Sequence, residues 1–250
     1  MIVLKTKREL AAMRDAGRIA ARALRVAGEA VEPGVSTWEI DRIARRYIEE
    51  QGAIPTFLGY GGFPASACIS VNNVVVHGIP SKDVIVREGD IVSIDIGATY
   101  EGFVGDNAFT FPCGKVSAEA EALMKATQES LYEGIKAAQA GNRIGDIGSA
   151  VQRYVEARGY SVVRTFVGHG VGAKMHEDPS VPNYGTPGRG VRLLQGMTIA
   201  IEPMINAGVS GVKTLSDGWT TVTADGKLSA HFEHSIASTS DGPVILTLPD

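Results

Sequence analysis

"GDIVSIDIGATYEGFVGDNAFTF" (89–111) places two aspartates inside runs that otherwise read as buried β-strand. Asp95 follows Ile91, Val92 and Ile94 and precedes Ile96, while Asp106 lies between Phe103–Val104 and Ala108–Phe109. The two runs, separated at Tyr100–Gly102, predict a β-hairpin. With Tyr100 and Glu101 as a two-residue turn, Thr99 faces Gly102 and Asp95 lies opposite Asp106. Tyr-Glu fits the favoured hairpin turns poorly, so a register shifted by one or two residues is also open. In any of these registers the carboxylates are close, and like charges side by side destabilise a sheet. Either one acid stays protonated or a cation lies between them. The plainer alternative is one solvated aspartate and one turn aspartate.

Shifting the chain by 107 residues lays "GVSTWEIDRIARRYIEEQG" (34–52) over "GNRIGDIGSAVQRYVEARG" (141–159). Gly34/Gly141, Ile40/Ile147, Arg46/Arg153, Tyr47/Tyr154, Glu49/Glu156 and Gly52/Gly159 coincide. Both segments carry apolar residues at helical spacing, and the first opens with Ser36 and Glu39 as a capping box. Each follows another amphipathic helix, the first starting near residue 7. The same shift brings "REGDIVSIDIG" (87–97) onto "LLQGMTIAIEPM" (193–204), and Asp95 onto Glu202. An acid inside an apolar strand therefore recurs at equivalent places. Two helix–helix–strand–strand halves, about 7–112 and 118–250, are expected to form one α/β (α+β) catalytic domain over 1–250. They would share one continuous antiparallel-rich sheet with helices on its outer face. A pseudo-two-fold axis between them would bring both acids to a shared centre.

The composition, 44% apolar and 21% charged, is that of an ordinary globular protein with ample core. A net charge of −4 gives no chain-wide basic character for nucleic acid. Two cysteines, Cys68 and Cys113, make neither a disulfide framework nor a paired zinc motif, so a reducing compartment is expected. No apolar run approaches membrane-spanning length, and the N-terminus lacks a signal-peptide pattern, so a cytoplasmic location is expected.

More candidate ligands lie in the second half. "GHGVGAKMHEDP" (168–179) breaks a strand at glycines around His169, and Glu233 sits in an alternating strand after the Asp225–Gly226 turn. That hairpin would set Trp219 opposite Phe232. His231 and His234 read as surface histidines. Asp95, Asp106, His169, Glu202 and Glu233 carry too much negative charge for one cation but suit two bridged divalent ions. Oxygen-rich ligation with one nitrogen and no thiolate favours manganese, iron(II) or cobalt over structural zinc.

With these residues in place, the chain resembles the bacterial-type, type I methionine aminopeptidases of peptidase family M24, which have the pita-bread fold. "NNVVVHGIP" (72–80), the hairpin quoted first, "GHGVGAKMHEDP", "GMTIAIEPM" (196–204) and "FEHS" (232–235) match in order and spacing from about Lys5 onward. Val104, Asn107, Met175 and Phe63 depart from the commonest pattern, the last two beside the methionine pocket. The resemblance implies that Asp95, Asp106, His169, Glu202 and Glu233 hold two divalent ions (cobalt, manganese, iron(II) or zinc). It further implies Glu202 as proton carrier and His77 and His176 as substrate-facing histidines. Tyr60, Phe63, Cys68, Met175 and Trp219 would line the methionine slot, and a sodium or potassium ion would lie near Asn72, Val74 and Ser229. The expected substrates are nascent polypeptides beginning with methionine before a small residue. Transient ribosome contact, a monomeric state, no membrane partner and no direct nucleic-acid role are also expected. Two rivals remain. An X-Pro aminopeptidase or prolidase would carry a further N-terminal domain, for which a first helix near residue 7 leaves no room. A catalytically dead pita-bread binding protein would lack some of the five ligands.

Overall fold

The computed structural model describes residues 1–249. Helix α1 (Lys7–Glu29) starts at Thr6, whose hydroxyl accepts the Glu9 amide while the Glu9 carboxylate accepts the Thr6 amide at 2.7 Å. Helix α2 (Thr37–Glu50) opens with the expected Ser36–Glu39 capping box. Helices α3 (Ala118–Ala137) and α4 (Ile144–Glu156) follow in the second half, and at α4 the Asp146 carboxylate accepts the Arg143 amide at 2.7 Å.

Nine strands form the main sheet. Its path runs β1 (Ile54–Pro55), β4 (Ile91–Tyr100), β5 (Phe103–Pro112), β14 (Glu233–Thr239), β9 (Thr198–Ile201), β7 (Gly168–Gly170) and β8 (Glu177–Val181). Strand β2 (Ala67–Val71) also pairs with β4, and β15 (Gly242–Ile245) with β14. Two three-stranded sheets complete the set: β13 (Ser229–His231), β10 (Met204–Asn206), β6 (Ser161–Val162), and β11 (Val212–Thr214), β12 (Thr221–Thr223), β3 (Val74–Val76). The single continuous sheet expected from the repeat is thus three sheets. The break falls after Ile201, where Glu202 and Pro203 leave the ladder and β10 pairs with β13 and β6 instead. Pro203 has no amide to donate, which favours a strand end there. Glu202 accordingly sits at a strand break and not, like Asp95, inside a strand.

Each helix pair packs on its own half of the sheet. Ala20, Leu24, Ile40, Ala44 and Ile48 share one core with Val92, Ile94 and Ile96 of β4. Leu123, Leu131, Ile147 and Val155 share another with Ile199, Ile201 and Ile236. The 107-residue spacing is visible in the backbone. Gly34/Gly141, Gly52/Gly159 and Gly89/Gly196 adopt left-handed φ of 96°/95°, 72°/83° and 91°/88°. The Gly34 amide donates to Val86 and the Gly141 amide to Leu193, at 2.8 and 2.9 Å, again 107 residues apart.

The helix α1–β5 crossing leaves no room for side chains. A Cβ on Gly105 would overlap the backbone of Gly17, and one on Gly17 would overlap the Leu246 carbonyl. Gly105→Ala is therefore expected to lower stability by about 1–3 kcal/mol through overpacking. Urea unfolding measures this, and an unchanged midpoint would show that α1 can stand off the sheet at no cost.

Candidate active site

The hairpin turn is made by Glu101 and Gly102, at φ 48° and 81°, so both central residues are left-handed as a type I′ turn requires. Tyr100 pairs with Phe103, a register two residues away from the Tyr100–Glu101 turn. Asp95 consequently faces Ala108, and Asp106 faces Gly97. A two-residue slip preserves the face, because side chains alternate with period two. Both acids point away from the side where Val92, Ile94 and Ile96 meet the helices. Strand β14 places Glu233 opposite Ala108 from the other side, so Asp95, Ala108 and Glu233 form one row across three strands.

His169 occupies the centre of β7, and Glu202 follows β9 with its carbonyl held by Asn183 Nδ2 at 2.9 Å. Ligand atoms of Asp106, His169 and Glu233 all lie within 4.8 Å of one another. His169 Nε2 stands 3.5 Å from Asp106 Oδ2 and 3.6 Å from Glu202 Oε1. Its Nδ1 donates to the Gly170 carbonyl at 2.8 Å, which leaves Nε2 as the atom offered to the acids.

The cluster is under electrostatic stress. Burial, then Asp106 and Glu202, push the Asp95 carboxyl well above the usual range. Burial, then Asp106, Glu202 and Asp95, do the same to Glu233. Glu202 rises to about 8, chiefly by burial. Burial opposes the charge on His169, but the Asp106 hydrogen bond and the Glu202 and Asp106 charges outweigh it and lift the ring to about 9. Asp95 Oδ1, Asp106 Oδ1 and Glu233 Oε1 are buried with no hydrogen-bond partner. Orphaned carboxylate oxygens of this kind are costly unless a cation neutralises them. The donor set, four carboxylates and one imidazole, suits hard or borderline divalent ions.

Beside the acids lies a cavity of about 240 Å³ whose lining includes those five residues together with His77, His176, Tyr60, Phe63, Cys68, Met175 and Trp219. Every residue singled out above for divalent-ion ligation, catalysis or the methionine slot thus borders one space. Phe57, Val76, Phe166 and Met204 line it as well and were missed. Phe166 had a signal, since "TFVGHG" leads straight to His169; Phe57 had none.

Trp219 reaches the cavity by a different route from the one expected. Strand β12 pairs with β11 and β3, and β13 with β10, so Trp219 does not face Phe232. The Asp225 carboxylate instead takes the Val209 and Lys227 amides at 2.8 and 3.1 Å, which ties that turn to the 209 loop. Trp219 rests edge-on against Phe63, with ring centroids 5.2 Å apart. His77 adopts a left-handed φ of 60° at the end of β3 and packs its ring 5.1 Å from Phe166. Strain at such a residue costs about 1–3 kcal/mol and clusters at functional sites. The Tyr60 hydroxyl bonds His176 Nδ1 at 2.7 Å.

Burial and the His176 charge depress the His77 ring, and burial then His169 depress that of His176, so both stay neutral near pH 7. Burial, then Asp95 and Asp106, hold the Cys68 thiol well above its ordinary range. His231 is not a surface residue, and His234 is half-buried. His231 is fully enclosed, with Nε2 3.8 Å from Glu202 Oε2, and His234 lies behind the sheet with Nδ1 2.9 Å from the Thr247 hydroxyl. The alternation of β14 sends His234 to the face opposite Glu233. Asn72 and Ser229 meet directly, the Ser229 amide donating to the Asn72 carbonyl at 2.9 Å.

The sequence model of metallopeptidase family M24 matches residues 11–240. The chain is 55% identical over 248 residues to the methionine aminopeptidase of Clostridium perfringens, covering 99% of both. It is 54% identical over 247 residues to methionine aminopeptidase 1 of Bacillus subtilis, again covering 99% of both. Its backbone superposes on the crystal structure of methionine aminopeptidase from Thermotoga maritima with a TM-score of 0.97, at 45% identity and 99% coverage of each chain. The prolidase of Pyrococcus horikoshii shares the fold at a TM-score of 0.79 and 22% identity, this chain spanning 65% of it. The buried acids, the His169 imidazole among them and the adjoining aromatic pocket, carried on a pita-bread sheet, therefore belong to a member of metallopeptidase family M24, and within it of the methionine aminopeptidases.

Proposed function

We propose that the chain removes the N-terminal methionine from nascent polypeptides, preferring a small second residue, as one catalytic unit built from two halves over 1–250. The observation that carries this reading is the juxtaposition of orphaned buried carboxylates with a mostly apolar, aromatic-walled cavity. Asp95, Asp106, His169, Glu202 and Glu233 would hold two divalent ions, cobalt, manganese, iron(II) or zinc. When bound, such ions supply an activated water near neutral pH and polarise the scissile carbonyl.

The chain's own residues do the rest. Glu202 accepts a proton from the water and passes it to the leaving nitrogen. When Tyr60 donates to His176 Nδ1, the neutral ring carries its proton on Nε2 and can give a hydrogen bond to the developing oxyanion. His77, wedged by Phe166 and Trp219, contacts the peptide beyond the first residue. Phe63, Met175, Cys68, Tyr60 and Trp219 enclose a long, polarisable side chain such as methionine. The acids at the cavity floor give the free amino group of the substrate its partner, which makes an exopeptidase. A monovalent ion near Asn72, Val74 and Ser229, a monomeric state, transient ribosome contact and a cytoplasmic location complete the proposal. Among the described residues no helix is long and apolar enough to cross a membrane.

Glu202→Ala is expected to reduce methionine release from Met-Gly-Met-Met by at least a hundredfold, about 2.7 kcal/mol. Near-normal turnover would remove Glu202 from its role, and cleavage of an Xaa-Pro peptide alone would favour the prolidase reading.

Chelator-treated protein should lose stability between pH 7 and pH 9. Glu202 is raised from 4.5 to about 8 and His169 from 6.5 to about 9, so the native state keeps protons that the unfolded chain has released. Stability then falls as pH rises through those folded values. Manganese replaces those protons, so it should raise Tm more at pH 9 than at pH 7. Thermal melts at both values decide this, and metal-free stability that climbs with pH would refute the assignment.

A further inference from the structure

We propose that a buried ion pair between Lys5 and Glu177 is the positioning device for His176, so that the N-terminal arm sets the geometry of the oxyanion donor. The inference rests on the role given to His176 above. Glu177 is the next residue in the chain, and it begins β8. The Lys5 ammonium meets Glu177 Oε2 with side chains only 4% and 12% exposed, a degree of burial rare for either type. Glu177 Oε1 accepts the Lys174 amide at 3.2 Å, closing the turn that presents Met175 and His176. Lys5 Nζ also donates to the Val3 carbonyl at 3.2 Å.

Both ends of this clamp are anchored. The Lys5 amide donates to Gly196 at 2.7 Å, and the Gly196 amide donates to Ser238 on β14 at 2.9 Å. The other end of the segment is held by β5, where the Val104 amide donates to Gly172 at 2.8 Å. Gly172 has no space for a side chain, because a Cβ there would press on Glu177 Oε1 and on Cε and Nζ of Lys5. The arm makes one other charged contact with this segment, between the Met1 ammonium and the Asp178 carboxylate, but that pair is exposed whereas Lys5–Glu177 is buried. Burying two charges costs several kcal/mol before their attraction is counted, so such a pair is weak evidence for stability as such. Its distinguishing property is directional: it fixes the backbone one residue from a ring that must meet a reacting oxygen. A displacement of about 1 Å at such a group can cost up to a hundredfold in rate.

The test is a mutant cycle on the manganese-loaded full-length protein with Met-Gly-Met-Met as substrate. Lys5→Met is expected to lower kcat about tenfold with KM within about twofold, and Lys5→Arg to recover most of the loss. In a His176→Ala background, Lys5→Met should produce no further fall, since its effect runs through the missing ring. Glu177→Gln keeps volume and burial and should reproduce the Lys5→Met pattern, which keeps the comparison available if Lys5→Met does not fold. A fall as large in the His176→Ala background as in the parent, a change in KM alone, or an unaltered kcat would overturn the proposal. Full activity of His176→Ala by itself would instead overturn the role assigned to that histidine.

Discussion

Four carboxylates converge around the His169 imidazole, and among the described residues no donor answers three of their oxygens. That unresolved negative charge is the constraint around which the rest is arranged. An isolated sheet would expel such residues, so the helices packed behind it must hold them in place. The cost is tolerable because the residues come from different strands whose positions are fixed by independent cores. Asp95 and Asp106 ride on strands packed against α1 and α2, whereas Glu233 and Glu202 ride on or beside strands packed against α3 and α4. Charge convergence is thereby a product of tertiary packing and not of any local segment.

The seam between those two groups is short. Strands β5 and β14 pair over only Glu233↔Ala108 and His234↔Asn107. Acids stand on both sides of that seam, so a cation bound there would cross-link the halves where their shared ladder is short. Metal loading and the cohesion of the sheet are coupled through the same few residues.

Much of this was legible in the amino-acid sequence. Period-two and period-3.6 patterns located the hairpin and helices, and the 107-residue shift paired Asp95 with Glu202 before any coordinates. The motif resemblance added His77 and the pocket walls, and all of these border the cavity. What could not be read were features set by the third dimension. The hairpin register depended on which two residues could take left-handed φ, and Gly102 decided it together with Glu101. The Asp225–Gly226 turn looked like a hairpin, but hydrogen bonds to the 209 loop claim it, so Trp219 arrives from another sheet. His231 looked exposed because polarity is read one residue at a time. Its burial comes from tertiary packing, which no local pattern near it records. The part played by Lys5 was equally hidden, since a lysine near a chain start ordinarily signals solvent.

Cys68 illustrates what the same negative field does to a bystander. Electrophiles and peroxides attack the thiolate, not the neutral thiol, and here enclosure together with two neighbouring aspartates suppresses ionisation. A sulfur atom is thus placed where its softness suits a thioether ligand, while enclosure favours its less reactive, protonated form.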